Sequence, residues 1–452
     1  MTQIDKRDLT HGPILKKVLI FAIPLALTSM LQQLFNAADV AVVGRFASKQ
    51  AMAAVGSNAP VVSLLVNFFV GLSVGANAVI AKNIGARQEN RVKKSVGTVM
   101  ILAILCGVFV AVLGNIIARP LIDLLGVPAE VADYSVKYLR IYCSGMPFIM
   151  LYNFEAAIFR SAGNTKTPLV SLTVGGVFNV IANLFFVVVL KMDVDGVAIA
   201  TVLANVISSM ILLFCLMKEQ SWIKVDLRKL RMDSQSMRAI LAIGLPSALQ
   251  SMVFAISNLC VQSAVNSLGS DVMAAASAAY NIEIFIYFII NAFTQTCVTF
   301  VGQNYGAGDY RRCRDVIRKI ILISWIVTLV SSGLLLIFMR QLLGLFTTEE
   351  SIIELGVVRL KILLYSETVN MLMDNFTGAM RGLGKSLSPA IAALIGVCGI
   401  RITWVFTGFK IYHSWVSLMM VFPISWTISS AIMYVMYIKL RNKMLPITEV
   451  KA

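Results

Sequence analysis

Charge is scarce in this sequence. Asp, Glu, Lys and Arg make up 14% of its 452 residues, against 58% hydrophobic residues, and the mean hydropathy is +0.81. A soluble chain carries about a quarter charged residues, so an ordinary soluble enzyme or binding module is a poor reading. Histidine is scarcer still: His11 and His413 lie far apart, each near the end of an apolar run. Of the cysteines, Cys106, Cys143, Cys215, Cys260, Cys297 and Cys398 lie within apolar runs and Cys313 lies in a basic loop. That pattern offers neither a disulfide framework nor a thiolate metal site. There are no paired carboxylates at ligand spacing and no clustered nucleophile and base. An integral-membrane enzyme would need such groups to converge, so we expect no enzymatic activity and no cofactor.

Long apolar runs are what the sequence has instead. Twelve of them, with approximate edges 18–45, 53–82, 95–118, 134–160, 167–190, 195–217, 237–266, 273–303, 316–340, 353–381, 387–409 and 414–438, are each long enough to cross a bilayer core as a helix. Backbone groups in lipid must be satisfied internally, and no barrel-like alternation is present, so the spans are expected to be helices. The N-terminal MTQIDKRDLTHGPILKK is mixed in charge and no small-residue cleavage pattern follows the first run. That run reads as a retained span rather than a signal peptide. The net charge of +16 is distributed by loop. Lys6, Arg7, Lys16 and Lys17, then Lys82 to Lys94, Lys218 to Arg238, Arg311 to Lys319 and Lys439 to Lys443 fall on one side; Asp123, Glu130, Asp193, Asp195, Glu349 and Glu350 fall on the other. The positive-inside rule then puts both termini and the even-numbered loops in the cytoplasm, and the expectation is a multi-pass protein of the cell inner membrane. The basic surplus reads as topology and attraction to anionic lipid, not as nucleic-acid binding.

The chain nearly repeats itself with an offset of about 221 residues. AIPLALTSM opens the first span and GLPSALQSM the seventh, pairing Pro24 with Pro246 and Asn36 with Asn258. AKNIGARQENR after the second span answers GQNYGAGDYRR after the eighth, and FRSAGNTKTP after the fourth answers MRGLGKSLSP after the tenth. Six spans per half insert in the same orientation, so the repeats are parallel, related by an axis along the membrane normal. The expected organisation is an N-terminal six-helix lobe over 1–217, a cytoplasmic linker over 218–237 and a C-terminal lobe over 238–452. Two such lobes leave a central cleft, the usual substrate position in alternating-access transporters. The plainer reading is that duplication merely builds a large membrane scaffold.

The first span carries the residue hardest to explain as packing. On a helix, Thr28, Gln32, Asn36 and Asp39 form one polar stripe. An ionised carboxylate in hydrocarbon costs several kcal/mol, so such acids mark function by default; a structural hydrogen bond or an interfacial position near Arg45 are the alternatives. In the fifth span Asn179 and Asn183 lie one turn apart, and in the sixth Thr201 precedes Asn205 by a turn. With Asp39 these could hold a proton or coordinate a hard cation such as Na⁺. Alone, the asparagines are better read as interhelical hydrogen bonds of modest energy, about 0.6–2 kcal/mol. The second half lacks the acid, with Val261 in its place, but keeps Asn258, adds Gln262 and presents Arg401 where the first half has its asparagine pair. Glu283 and Glu367 lie deep within spans eight and ten; Glu155 and Asp374 lie nearer span ends, where ion pairs with Arg160 and Arg381 compete with a cavity role. Lys137, Arg140, Arg359 and Lys361 sit where snorkelling is the cheaper explanation. The substrate-cleft candidates are Gln32, Asn36, Asn258, Gln262, Glu283 and Arg401. The 22 Met and the aromatics Tyr280, Phe285, Tyr287, Phe288, Trp404, Phe422 and Trp426 suit promiscuous binding, though most must be core or lipid-facing.

Twelve spans in parallel repeats, Pro24 and Asp39 on span one, the Asn179/Asn183/Thr201 group and the paired RSAGNTKTP and RGLGKSLSP ends together resemble the multidrug and toxic compound extrusion (MATE) family over nearly the whole chain. The resemblance implies a V-shaped pair of six-helix bundles exporting organic cations or other drugs in exchange for Na⁺ or H⁺. It implies Asp39 as ion-coupling residue, Pro24 as the place where span one bends, and Asn179, Asn183 and Thr201 as the companions seen in the DinF-like branch. Two departures stand out. The second span-five position is often an acid and here is Asn183, and the acids of the NorM-like branch on spans seven and ten are replaced by Phe254 and Asn370. By this resemblance the chain looks closer to the DinF-like branch than to the NorM-like one. The expectation is a monomeric cation-coupled antiporter whose partners are small drug-like compounds, the coupling cation and membrane lipids. A lipid-linked saccharide flippase of the same superfamily is the alternative, and a channel fits the duplicated lobes less well.

Overall fold

The computed structural model describes residues 8–446, and among them the regular structure is helical, with no strand. The first half runs through α1 (Ile14–Phe46), α2 (Lys49–Gly85), α3 (Glu89–Leu124), α4 (Ala129–Ser144), α5 (Met146–Ser161), α6 (Lys166–Leu184) and α7 (Val194–Lys218). The second runs through α8 (Ser234–Asn266), α9 (Ser270–Gly306), α10 (Tyr310–Leu343), α11 (Glu350–Gly382), α12 (Leu387–Ala393), α13 (Ile400–Phe406), α14 (Gly408–Ile411) and α15 (Trp415–Met444). The duplication is visible in length: α1 and α8 both have 33 residues, and α2 and α9 both have 37.

Among the described residues, ten stretches are long and apolar enough to cross a membrane. The two expected spans outside that set are the fourth, here α4 with α5, and the tenth, α11, which are equivalent in the repeat. Both are interrupted by charge, Asp133, Lys137, Arg140, Glu155 and Arg160 in one and Glu354, Arg359, Lys361, Glu367 and Asp374 in the other. Counting them, the protein is an all-α membrane protein of twelve spans in two six-helix repeats. The third span of each half shows how it meets lipid. Along α3, Ile104, Leu105, Val108, Phe109, Val112 and Ile116 are exposed, a continuous apolar stripe that water would penalise. The equivalent α10 exposes Leu322, Ile326, Leu329, Leu334 and Ile337.

Three expected spans are not single rods. The fourth breaks at Gly145 because Pro147, at the start of α5, has no N–H to continue the ladder. The fifth ends in a π-helical turn over Phe185–Val189, and the eleventh is divided into α12, a π-helical turn over Leu394–Gly399, α13 and α14. Such wide turns skip regular hydrogen bonds and appear often at functional sites. Pro24 leaves α1 continuous; the carbonyl of Pro24 accepts the Thr28 hydroxyl at 2.7 Å.

The chain divides into two compact units. The first contains Ile23–Leu241. In it α3 and α4 pack through Ala118, Ile122, Ala132, Val136, Leu139 and Cys143, and Asn58 of α2 donates to the Ser135 carbonyl of α4 at 3.1 Å. The segment leading into α8 is fastened to α3: the Asp233 N–H donates to Thr98 Oγ1 at 2.9 Å and Ser236 Oγ lies 3.1 Å from Ser95 Oγ. The Asp233 carboxylate caps α8, accepting the Ser236 N–H at 2.8 Å, and that bond holds its carboxyl below the usual carboxylate range.

The second unit contains Leu9–Ala22 and the chain from Ala242 onward. Its core joins α9, α10 and α11 through Ala279, Ile282, Ile286, Ile290, Leu343, Leu360 and Leu364. The N-terminal segment docks here: the Leu9 N–H donates to Gln303 Oε1 at 3.3 Å, and Phe21 meets Phe300 edge-on at 5.6 Å. Arg359, expected to snorkel, is instead buried and pairs with Glu283 through Nη2–Oε1 at 2.5 Å and Nε–Oε2 at 3.1 Å. Snorkelling serves a charge without a partner. Here a carboxylate on the neighbouring helix supplies both acceptors in the fork geometry that Arg favours.

Candidate functional site

Two adjacent glycines on α6 determine what can approach it in the first unit. A Cβ on Gly175 would come within 2.7 Å of the Ala204 carbonyl oxygen and 2.0 Å of Ser208 Oγ, both on α7. A Cβ on Gly176 would fall 1.8 Å from the Phe35 ring of α1. Bare backbone here lets α7 and α1 lie against α6 on adjacent sides. The α6–α7 seam is closed by Ser171 Oγ donating to the Ser208 carbonyl at 2.6 Å and Ser208 Oγ to the Ser171 carbonyl at 3.3 Å. Near the other end of α1, the Ser48 N–H and hydroxyl both donate to the Asp193 carboxylate, at 2.9 and 2.5 Å, tying the α1–α2 turn to the start of α7.

One turn beyond Phe35 and one to two turns beyond Gly176, these helices bring four polar side chains together. Asn183 Nδ2 donates to Asp39 Oδ1 at 2.5 Å, and Thr201 Oγ1 donates to Asp39 Oδ2 at 3.4 Å. Asn183 Nδ2 also reaches Asn179 Oδ1 at 3.3 Å, and Asn179 Nδ2 reaches Thr201 Oγ1 at 3.5 Å. Asn179 and Asn183 are buried, while Asp39 and Thr201 are half-buried. No Lys or Arg forms an ion pair with Asp39 among the described residues, so its surroundings are neutral. Asn183 Oδ1 is buried with no hydrogen-bond partner, an acceptor without a donor beside the carboxylate. Asn205, also on the sixth span, turns back to the Thr201 carbonyl at 2.9 Å and stays out of the cluster. Gln32 and Asn36 are exposed on α1.

The MatE family model matches residues 24–185 and again 246–407, two blocks of equal length set 222 residues apart. The chain belongs to the MatE family. The first block opens at Pro24 and takes in Asp39, Asn179 and Asn183; the second is its duplicate. Among curated proteins, this MatE chain is 29% identical over 432 residues to the probable multidrug resistance protein YoeA of Bacillus subtilis (strain 168), covering 92% of each. It is 26% identical over 413 residues to the probable multidrug resistance protein NorM of Thermotoga maritima, covering 88% of this chain and 86% of that one. Among solved structures it resembles an outward-facing multidrug resistance MATE family transporter of the MOP superfamily, with a TM-score of 0.90 at 20% identity over 98% of this chain and 99% of the other. A MOP superfamily transporter from Pyrococcus furiosus Vc1, described as having a binding pocket of reversed polarity that suggests a different function, gives a TM-score of 0.89 at 20% identity over the same shares.

In the second unit of this MatE chain the candidates separate. Arg401 on α13 is buried; its Nη1 donates to Asn258 Oδ1 of α8 at 3.0 Å and its Nε to Ser425 Oγ of α15 at 3.3 Å. Gln262 is exposed and donates to Asn266 at 2.9 Å. Glu283 is taken up by Arg359, and Glu367 by Asn370, whose Nδ2 donates to it at 2.9 Å. Glu155, read as a possible partner of Arg160, is fully buried and neither of its oxygens has a partner. Three features carried too little signal to be singled out in advance. The glycine pair lies one turn before Asn179, and a pattern of two small residues followed by a polar one could have flagged it. The Ser48–Asp193 clasp and the Glu283–Arg359 pair join residues far apart in sequence, with no spacing to reveal them.

Proposed function

We propose that this protein is a cation-coupled multidrug efflux antiporter of the cell inner membrane, working by alternating access, with Asp39 as the residue that binds the coupling ion. The observation that carries this reading is the carboxylate of Asp39 held only by neutral groups, Asn183 and Thr201, within a shell that adds Asn179. A carboxylate neutralised by a permanent cation has nothing to exchange; one held by amides and a hydroxyl can trade a cation for a proton. The oxygens of Asp39, Asn179, Asn183 and Thr201 form the kind of donor set that hard cations take. The unpaired Asn183 Oδ1 is an acceptor for a proton on Asp39 or a ligand for Na⁺. Either occupant removes the charge that makes the site costly in lipid, and its arrival or departure biases inward- and outward-open populations. The relatives named for multidrug resistance support small organic compounds as cargo, and we take these to be amphipathic or cationic. Lobes over 1–217 and 238–452, joined by a cytoplasmic linker at 218–237, both termini cytoplasmic, a bend at Pro24 and a monomeric state complete the reading.

The test is ethidium efflux from proteoliposomes with Na⁺ and pH gradients imposed separately. Wild type is expected to respond to at least one gradient, and Asp39→Asn to lose about tenfold or more of the gradient-driven rate, as expected when an interaction worth more than about 1.4 kcal/mol is removed. Export by Asp39→Asn at the wild-type rate under the same gradient would sink the assignment.

A further inference from the structure

Two buried arginines lie in the second unit, and they are neutralised differently. Arg359 is met by both oxygens of Glu283. Arg401 has no carboxylate partner among the described residues; its two hydrogen bonds go to the neutral oxygens of Asn258 and Ser425. Glu367 is committed to Asn370 instead. The Arg401 guanidinium lies over the Phe422 ring at 4.4 Å and near the Trp426 ring at 5.7 Å, and the two rings meet edge-on at 5.6 Å. Ring faces attract a cation without cancelling its charge. Nη2 donates to none of the described residues, yet it is not sealed away like the unpaired Nε atoms of Arg160 and Arg381. Asn258, beside it, is exposed.

We propose that Arg401 is an oxyanion site of the C-terminal unit, taking the carboxylate of a small organic molecule. Nη2 and the second hydrogen of Nη1 are the donors left for a planar, bidentate acceptor, which a carboxylate matches. Asn258 and Ser425 fix the guanidinium so that little ordering remains to be done on binding. Phe422 and Trp426, both buried, enclose the guanidinium and keep water from screening its charge. The site rests on the export reading only in making its ligand a cargo.

The full chain in nanodiscs of neutral lipid, with no ion gradient, is titrated with 1-naphthoate and with its neutral carboxamide. Wild type is expected to prefer the carboxylate by about tenfold, the scale of a charge-assisted pair. Arg401→Gln is expected to bind both probes within about twofold of each other, and Arg401→Lys, which keeps the charge but loses the fork, to retain about threefold. Equal binding of the two probes by wild type overturns the proposal without reference to any variant, and so does a preference that survives in Arg401→Gln. Repeating the titration in anionic-lipid nanodiscs separates a small-molecule ligand from a headgroup: an unchanged preference supports the proposal, and its loss assigns the site to lipid. Asp39→Asn, titrated in parallel, keeps the preference whatever it does to gradient-driven export, so the two readings fail separately.

Discussion

The two donors that hold Asp39 are unequal. Asn183 lies at 2.5 Å and Thr201 at 3.4 Å, and Thr201 is also engaged with the Val197 carbonyl at 3.0 Å. Hydrogen bonds to a charged group contribute about 1.5–3 kcal/mol when short. Asn183→Leu is therefore expected to reduce gradient-driven efflux by about tenfold or more, and Thr201→Val by less than about threefold, in the same proteoliposome assay; the reverse order would put the main contact on α7. Asp39, Asn179, Asn183 and Thr201 were legible in the sequence because one-turn spacing is a local property and an acid in an apolar run is rare. Which of Thr201 and Asn205 joins the cluster was not legible: they lie one turn apart on the same face of α7, and the choice rests on depth along the helix and on Asn205 bonding back to the Thr201 carbonyl. A second residue-scale prediction comes from the repeat. Arg87 has φ +52°, in the left-handed region, where its duplicate Gly308 has φ +76°, and both donate to the carbonyl three residues back, at 3.0 and 3.1 Å. A side chain there costs about 1–2 kcal/mol. Arg87→Gly is expected to raise thermal stability in detergent, by a net of up to about 1 kcal/mol after the added freedom of the unfolded chain is counted.

At the scale of elements, α6 is the part on which the site depends. Its glycines hold α7 and α1 close, and the two contacts differ in how they can yield. Gly175 faces the Ala204 backbone, which cannot move without shifting α7, whereas Gly176 faces the ring of Phe35. Gly175→Ala is expected to destabilise the protein by about 1–3 kcal/mol, the usual cost of overpacking. Gly176→Ala is expected to impair efflux by displacing α1, and the double variant Gly176→Ala/Phe35→Leu to recover it in part. A thermal melt with an efflux assay on each variant checks both; equal, uncorrectable losses would mean that neither contact is specific. The sequence shows the two glycines plainly, but a helix has neighbours on every side, and nothing local says which ones approach. The same limit hid the break in the fourth span. Pro147 was readable, but a proline can bend a helix or end it, and packing against α3 decides.

Across the whole chain, duplication supplied one architecture and divergence gave its copies different chemistry. Asp39 answers Val261, and the Asn179 region answers Arg401. The helices agree in order, and the first two of each half in length, while the polar groups they carry differ in sign, so the fold does not depend on the acid. That separation makes a transplant informative. Val261 is buried on α8, one turn from Asn258, which accepts a hydrogen bond from Arg401. A carboxylate introduced by Val261→Asp would have a guanidinium for a neighbour and no asparagine pair like Asn179 and Asn183. It is expected to form an ion pair with Arg401 and to exchange nothing. Asp39→Val/Val261→Asp is accordingly expected to fold and to remain as deficient in gradient-driven efflux as Asp39→Val alone. Adding Arg401→Asn to that pair removes the permanent cation and restores an amide at the repeat-equivalent position. Any gradient response should return only in this triple variant, measured under the same Na⁺ and pH gradients. A response already present in the double variant would show that an acid in either copy suffices, and that the proposed exchange does not require the neutral shell around Asp39.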